Sequence, residues 1–300
     1  MSREPKKRTR VEGFCGGLTW AGTETRPTEE MVFFQKLETG NRKLETGNHL
    51  GTRNSKLETF FLRLPLVTSA APNLVLVHGW AADRRIWSHQ LALVSWAVHL
   101  WAPDLPEWQA DWLWQGLQRF EPGATVLVGW SLGGMLALEA AARGFRPRAL
   151  VLVATCASFC PRGDYPHGWP TAVVRALRQQ VGREPVRVVR DFWQQLLAAG
   201  EASCRERLQE LAPGEQDQAW LAAGLDYLRR TDLRPLLDHV AAENLLIIHG
   251  EADAIMPVAH AYYLQERLPA ARLVVLPGAG HVPMVSRPGE VNELLAPLLR

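Results

Sequence analysis

The chain of 300 residues is 47% hydrophobic and carries a formal net charge of +2, ample material for a buried core and too little charge to make nucleic acid or an anionic membrane its main partner. Its four cysteines, Cys15, Cys156, Cys160 and Cys204, lack metal-ligand spacing and the density of a secreted disulfide scaffold, so they read as free thiols in a reducing compartment. No apolar stretch is long enough to span a bilayer, and the basic start ending at Arg10 is not followed by an apolar signal segment, which points to a cytoplasmic protein.

Residues 1–58 do not match the rest. Lysine occurs at 6, 7, 36, 43 and 56 and never afterwards, whereas arginine continues to Arg300. Lys36-Leu-Glu-Thr-Gly-Asn41 recurs as Lys43-Leu-Glu-Thr-Gly-Asn48, with a partial third copy from Lys56. A short, polar, glycine-containing repeat has too little apolar surface to offset the entropy of ordering, so this stretch reads as a mobile, low-complexity extension. In one reading it is dispensable, or lies upstream of a start at Met31; in the other it is a tether or docking arm whose basic start meets acidic partners.

Residues 59–66 resemble an outer strand, with Pro65 near its end where a missing N–H costs little. Short apolar runs of the kind buried on both faces of a parallel sheet follow at 74–77, 97–101, 125–128, 150–153, 245–248 and 273–276. Helix patterns lie between most of them, at about 87–96, 110–119, 132–143, 258–268 and 288–299. This alternation predicts a parallel sheet covered on both faces, with the binding site beyond the carboxyl ends of its strands. Between 157 and 240 there are only helix patterns, near 170–181, 184–199, 202–211 and 216–229. That interval reads as a helical lid inserted into a core built from 59–156 and 241–300.

The apolar run from Val126 stops at Gly129-Trp-Ser131-Leu-Gly133, where an alanine-rich helix pattern begins. A serine there can sit on a sharp turn, and the flanking glycines remove Cβ atoms that would collide. A serine hydroxyl is a poor nucleophile at neutral pH, so a histidine must take its proton and a carboxylate must orient the histidine. Asp253, after the strand 245–248, and His281, after 273–276, supply them in the order Ser, Asp, His; Glu251 is the competing acid, closer to its strand end. Two donors must hold the oxyanion, here the N–H of Leu132 and the N–H of Trp80 from the loop His78-Gly79-Trp80. The Trp80 and Trp130 rings are expected to wall the pocket. Any one of these residues alone is more often a turn residue, but together and in order they point to a serine-hydrolase site needing no metal or redox cofactor. His78, His89, His249 and His260 read as packing, turn or surface residues, and Asp104 as a group that satisfies backbone N–H groups.

On these motifs, and on Leu76-Val-His-Gly-Trp80, Arg162-Gly-Asp-Tyr-Pro166, Thr231-Asp-Leu-Arg-Pro-Leu236 and Gly280-His-Val-Pro283, residues 59–300 resemble the α/β-hydrolase superfamily. More closely, they are similar to the BioH-type pimeloyl-acyl-carrier-protein methyl ester esterases of biotin synthesis. The resemblance implies an α/β-hydrolase fold with an inserted lid, Ser131, Asp253 and His281 as the triad, and Trp80 with Leu132 as the oxyanion hole. It also implies hydrolysis of a methyl ester on a pimeloyl chain held by acyl-carrier protein, with lid arginines docking the acidic carrier. The lid holds eleven arginines against eleven acids. Arg183, Arg187 and Arg190 are spaced to share a helix face, and Arg205 with Arg207 offers a second cluster. The plainer reading is a solvated face paired locally with Glu184 or Asp191. Two departures stand out: Leu105-Pro-Glu-Trp108 replaces the family's glycine-rich turn, and the extension has no counterpart. Alternative functions are a general carboxylesterase, another hydrolase of small acyl esters or thioesters, or a ligand-binding homologue without turnover. A monomer is expected.

Overall fold

The computed structural model describes residues 72–93 and 99–300. The extension 1–58, the outer strand at 59–66, Cys15 and the first part of the strand pattern 97–101 lie outside the described residues. Six strands form one sheet: β1 Asn73–Val77, β2 His99–Trp101, β3 Thr125–Trp130, β4 Ala149–Val153, β5 Asn244–Gly250 and β6 Arg272–Leu276. Their order is β2-β1-β3-β4-β5-β6 and every pairing is parallel.

The pleat explains why the central runs are apolar throughout. Val75, Val77, Leu127, Leu150, Leu152 and Ile247 point into one core layer, and Leu74, Leu76, Val126, Val128, Val151 and Val153 into another on the opposite face. The first layer is closed by helices α1 (Ala110–Leu117) and α2 (Leu132–Ala142), through Leu113, Leu117, Met135 and Leu136. The second is closed by Ile86 and Trp87 of a 3-10 segment, and by Val285, Val291 and Leu295 near the C-terminus.

Between β4 and β5 runs an insertion with helices α3 (Thr171–Val181), α4 (Pro185–Trp193), α5 (Arg205–Glu210) and α6 (Gln218–Arg230). Its entry and exit are joined by an antiparallel bridge between Ser158 and Asp232 and by the Leu233 N–H donating to Ala157 O at 2.8 Å. After β5 come α7 (Ala259–Arg267), α8 (Pro283–Ser286) and α9 (Pro288–Leu295). No helix among the described residues is long and apolar enough to cross a membrane.

Several expected helices differ in type or extent from their apolar patterns, and α4 stops at Trp193 where the pattern runs from 184 to 199. The segment expected at 87–96 is a 3-10 segment over Arg84–Leu93. The pattern at 202–211 falls on the end of a 3-10 segment, Ala199–Cys204, and on α5; inside the 3-10 segment Glu201 leaves helical geometry at φ −104 and its side chain is buried. The last helix stops at Leu295 because Pro297 removes a helical N–H, and the chain ends in a 3-10 turn.

At the sheet's centre β1 and β3 lie in register, Val77 opposite Gly129, so the loops leaving their carboxyl ends meet. The backbone there is too close for side chains: a Cβ on Gly133 would stand 2.2 Å from His78 O and 2.4 Å from Val77 O. Gly133→Ala is therefore expected to lower stability by about 3 kcal/mol, read as a reduced urea midpoint with unchanged slope.

Candidate active site

Ser131 follows β3 and precedes α2 with φ 55 and ψ −121, a left-handed backbone that costs a non-glycine residue roughly 1–3 kcal/mol. Its surroundings fix that conformation. The Ser131 N–H donates to Val153 O at 2.9 Å, and Ser131 O accepts from Thr155 Oγ1 at 2.7 Å and from the N–H groups of Gly134 and Met135 at 3.0 and 3.2 Å. A Cβ on Gly129 would lie 2.6 Å from Gly133 O, so only glycine closes the turn.

The structure brings Ser131, His281 and Asp253 together from three loops. His281 Nε2 is 3.0 Å from Ser131 Oγ, and His281 Nδ1 is 2.7 Å from Asp253 Oδ2. The other carboxylate oxygen, Oδ1, accepts the N–H groups of Ile255 at 2.9 Å and Met256 at 2.8 Å, which holds the acid in the plane the imidazole needs. Since Nδ1–H donates to the acid, Nε2 presents its lone pair to the serine proton. This arrangement can move a proton from the hydroxyl to the imidazole as Oγ forms a bond. Glu251, the competing acid, faces away and accepts the N–H of Gly278 at 3.1 Å.

The loop after β1 closes against the serine: a Cβ on Gly79 would sit 3.0 Å from Ser131 Cβ and 2.9 Å from Trp130 Cε3. That places the Trp80 backbone beside the α2 N-terminus, where the Leu132 N–H stands free of helical bonding. His78 anchors the loop. Its Nε2 accepts the N–H of Leu105 at 3.1 Å and its Nδ1–H donates to Gly79 O at 2.9 Å, while burial pushes its pKa down and keeps it neutral.

Indole N–H groups do much of the fastening. Trp80 donates to Leu221 O at 2.9 Å, Trp108 to Trp220 O at 3.0 Å and Trp220 to Leu105 O at 2.8 Å. Trp193 donates to Ala81 O at 2.7 Å and Trp169 to Ile255 O at 2.9 Å. Each of these five bonds joins the insertion to a loop of the sheet.

Trp130 is not a pocket wall. As the last residue of β3 it shares a face with Val126 and Val128, so its ring is fully buried in that core layer and its Nε1–H donates to His281 O at 2.8 Å. Among the arginines, Arg183 precedes Pro185, which starts α4, and so does not share a helix face with Arg187 and Arg190. Arg187 pairs with Glu184 at 2.9 Å and Asp191 at 3.5 Å, and Arg190 with Asp191 at 3.4 Å, all well exposed. Arg190 and Arg205 border a cavity of about 710 Å³ whose floor includes Val189, Trp193 and Leu208. Ser131 is only 6% exposed.

His249, which the sequence offers only as a packing, turn or surface residue, is fully buried beneath the acid. Its Nε2–H donates to Met256 O at 2.6 Å and stands 3.5 Å from Asp253 Oδ2. Only its place one strand-end turn before Asp253 could have marked it. Burial lowers its pKa and disfavours its charged form. Asp104 holds the Arg84 N–H at 2.9 Å, as the sequence suggested. Among the described residues no cluster of three or more His, Cys, Asp or Glu side chains could hold a metal ion, and Cys156, Cys160 and Cys204 are free thiols.

The alpha/beta hydrolase family model matches residues 74–294, and the chain belongs to that family. Within it, the chain is 32% identical over 235 residues to the pimeloyl-acyl-carrier-protein methyl ester esterase of Nitrosomonas europaea, covering 74% of this chain and 93% of the relative. The enzyme of the same name from Aromatoleum aromaticum is 33% identical over 252 residues, covering 76% of this chain and 98% of that one. Among solved structures, an esterase from Exiguobacterium antarcticum superposes with a TM-score of 0.69 at 19% identity, over 77% of this chain and 93% of that chain, a likeness of fold.

His78, His249 and His260 share a pH consequence. Burial lowers the pKa of each, and that of His260, which is hydrogen-bonded to Tyr165 Oη, falls to about 3. Because the unfolded chain binds protons near pH 6.5 that the folded protein refuses, stability is complete above that pH and declines as pH falls towards 3. His260 alone accounts for roughly 2 kcal/mol lost between pH 7 and pH 5, and urea unfolding at the two values should show at least that difference.

Proposed function

We propose that this chain is a serine carboxylic ester hydrolase that removes the methyl group from a pimeloyl ester carried by acyl-carrier protein. The observation that carries the reading is the unbroken hydrogen-bond chain Asp253–His281–Ser131 at a left-handed serine. It occurs in a chain spanning 93% and 98% of two esterases of that activity. Ser131 Oγ attacks the ester carbonyl while its proton passes to His281 Nε2, and Asp253 stabilises the imidazolium through Nδ1–H. The N–H groups of Leu132 and Trp80 hold the oxyanion. His281 then gives the proton to departing methanol, and water repeats the sequence on the acyl-enzyme to release a free carboxylate.

The insertion, 157–240, serves as a lid over Ser131. Five indole bonds pin it at the edge of the site, so it excludes water from the acyl-enzyme and shapes the acyl pocket. Carrier docking is assigned to the face bearing Arg187, Arg190 and Arg205, where exposed pairs exchange one carboxylate for another at little cost. A cytoplasmic monomer is part of the same reading.

Mass spectrometry of pimeloyl-carrier-protein methyl ester before and after incubation should show loss of one methyl group. Ser131→Ala should reduce the rate by about 10⁴-fold. Cleavage of short chromogenic esters with the carrier ester left intact would instead indicate a general carboxylesterase. Reversing both Arg187 and Arg190 to Glu should raise KM for the carrier substrate by about tenfold and leave a small chromogenic ester unaffected.

A further inference from the structure

We infer that Glu201, a carboxylate on the insertion, is a positioning residue for His281. The inference rests on the hydrolase reading above and adds a residue to its machinery. Glu201 sits in the 3-10 segment Ala199–Cys204 and is 2% exposed. Its Oε2 accepts two backbone N–H groups: Ala198 at 3.0 Å, three residues away, and Gly280 at 2.8 Å, directly before His281. The first bond is local capping of the segment. The second crosses from the insertion to the loop after β6.

Two further observations concern the same junction. The N–H of His281 itself donates to Leu196 O at 2.8 Å, so consecutive N–H groups of the histidine loop are held by one six-residue stretch of the insertion. A Cβ on Gly280 would stand 2.6 Å from both Leu196 O and Ala198 N and 3.0 Å from Glu201 Oε2. The two backbones are therefore in contact, and glycine is what allows it. With the Trp130 indole donating to His281 O, the histidine's main chain is fixed on both sides by groups outside its own loop.

The choice of residue is informative. The second oxygen, Oε1, has no hydrogen-bond partner, and the nearest cation, Arg287 Nε, is 4.0 Å away. A buried carboxylate with a bare oxygen is a costly way to pack a loop, and an apolar side chain would cost less. What an apolar side chain cannot do is accept the Gly280 N–H and set the distance from His281 Nε2 to Ser131 Oγ. Since a base misplaced by about 1 Å loses much of its rate, this bond bears on turnover and not on substrate binding.

The test compares Glu201→Ala, Glu201→Gln and the exposed control Glu206→Gln in the full chain, using a small chromogenic ester. Glu201→Ala should lower kcat about tenfold or more with KM nearly unchanged, while Glu201→Gln, whose carbonyl oxygen can still accept both N–H groups, should recover to within about threefold. Proton NMR supplies a readout independent of turnover: the far-downfield resonance of His281 Nδ1–H bonded to Asp253 should broaden or move in Glu201→Ala and persist in Glu201→Gln and Glu206→Gln. Wild-type kcat and an unmoved resonance in Glu201→Ala would overturn the inference, as would a change confined to KM. Should the Ala variant not fold, Glu201→Asp keeps the charge but withdraws the oxygens by one carbon, and wild-type turnover in that variant overturns the inference equally. If wild-type protein shows no Ser131-dependent ester cleavage, the hydrolase reading fails, and the resonance still reports whether Glu201 holds His281.

Discussion

The whole site depends on how closely the backbone packs where β1, β3 and β4 end. Ser131 can hold its left-handed conformation only because Val153 and Thr155 bond its two peptide groups and because Gly129, Gly133 and Gly134 leave room for neighbouring main chain. The strain is local and the groups that sustain it belong to the rigid centre of the sheet. The nucleophile therefore projects from the closely packed centre of the sheet. The α2 N-terminus and the Gly79-Trp80 loop converge on the same point because β1 and β3 are adjacent and in register.

The histidine is mounted differently. It lies in a loop between β6 and α8, and its placement draws on groups from three parts of the chain: Asp253 on its ring, Trp130 on its carbonyl, and the insertion on its N–H and on the N–H before it. The insertion thus helps to hold the base. The tryptophans repeat this theme, since their large apolar rings fill the seam while one polar N–H fixes the direction of each crossing.

Charge is distributed to match. Around the acid the interior is kept neutral: His249 and His260 are buried with lowered pKa values, and the Cys156 thiol is pushed up by burial. The exposed arginines of α4 are paired with neighbouring acids, so the outer face of the insertion offers exchangeable pairs instead of bare cations. Sequence spacing suggested both a shared face and local pairing for these residues; Arg187 and Arg190 share the α4 face, Arg183 does not, and the pairing is local.

By itself the sequence determined the parallel sheet, because strands buried on both faces must be apolar throughout, as Leu74–Val77, Val126–Val128 and Leu150–Val153 are. It also marked Ser131, Asp253 and His281, since each sits in a glycine-bearing or polar turn directly after such a strand. The helix limits near Glu201 and Leu295 were not legible from apolar spacing, which is blind to an inward-turned carboxylate and weakly sensitive to a late proline. Which way Trp130 points, what lies beneath Asp253 and what holds Gly280 were decided by tertiary structure alone. Pleat direction, burial and bonds across 79 to 151 residues of chain have no signature in local pattern, because the partners become neighbours only when the sheet and the insertion have both formed.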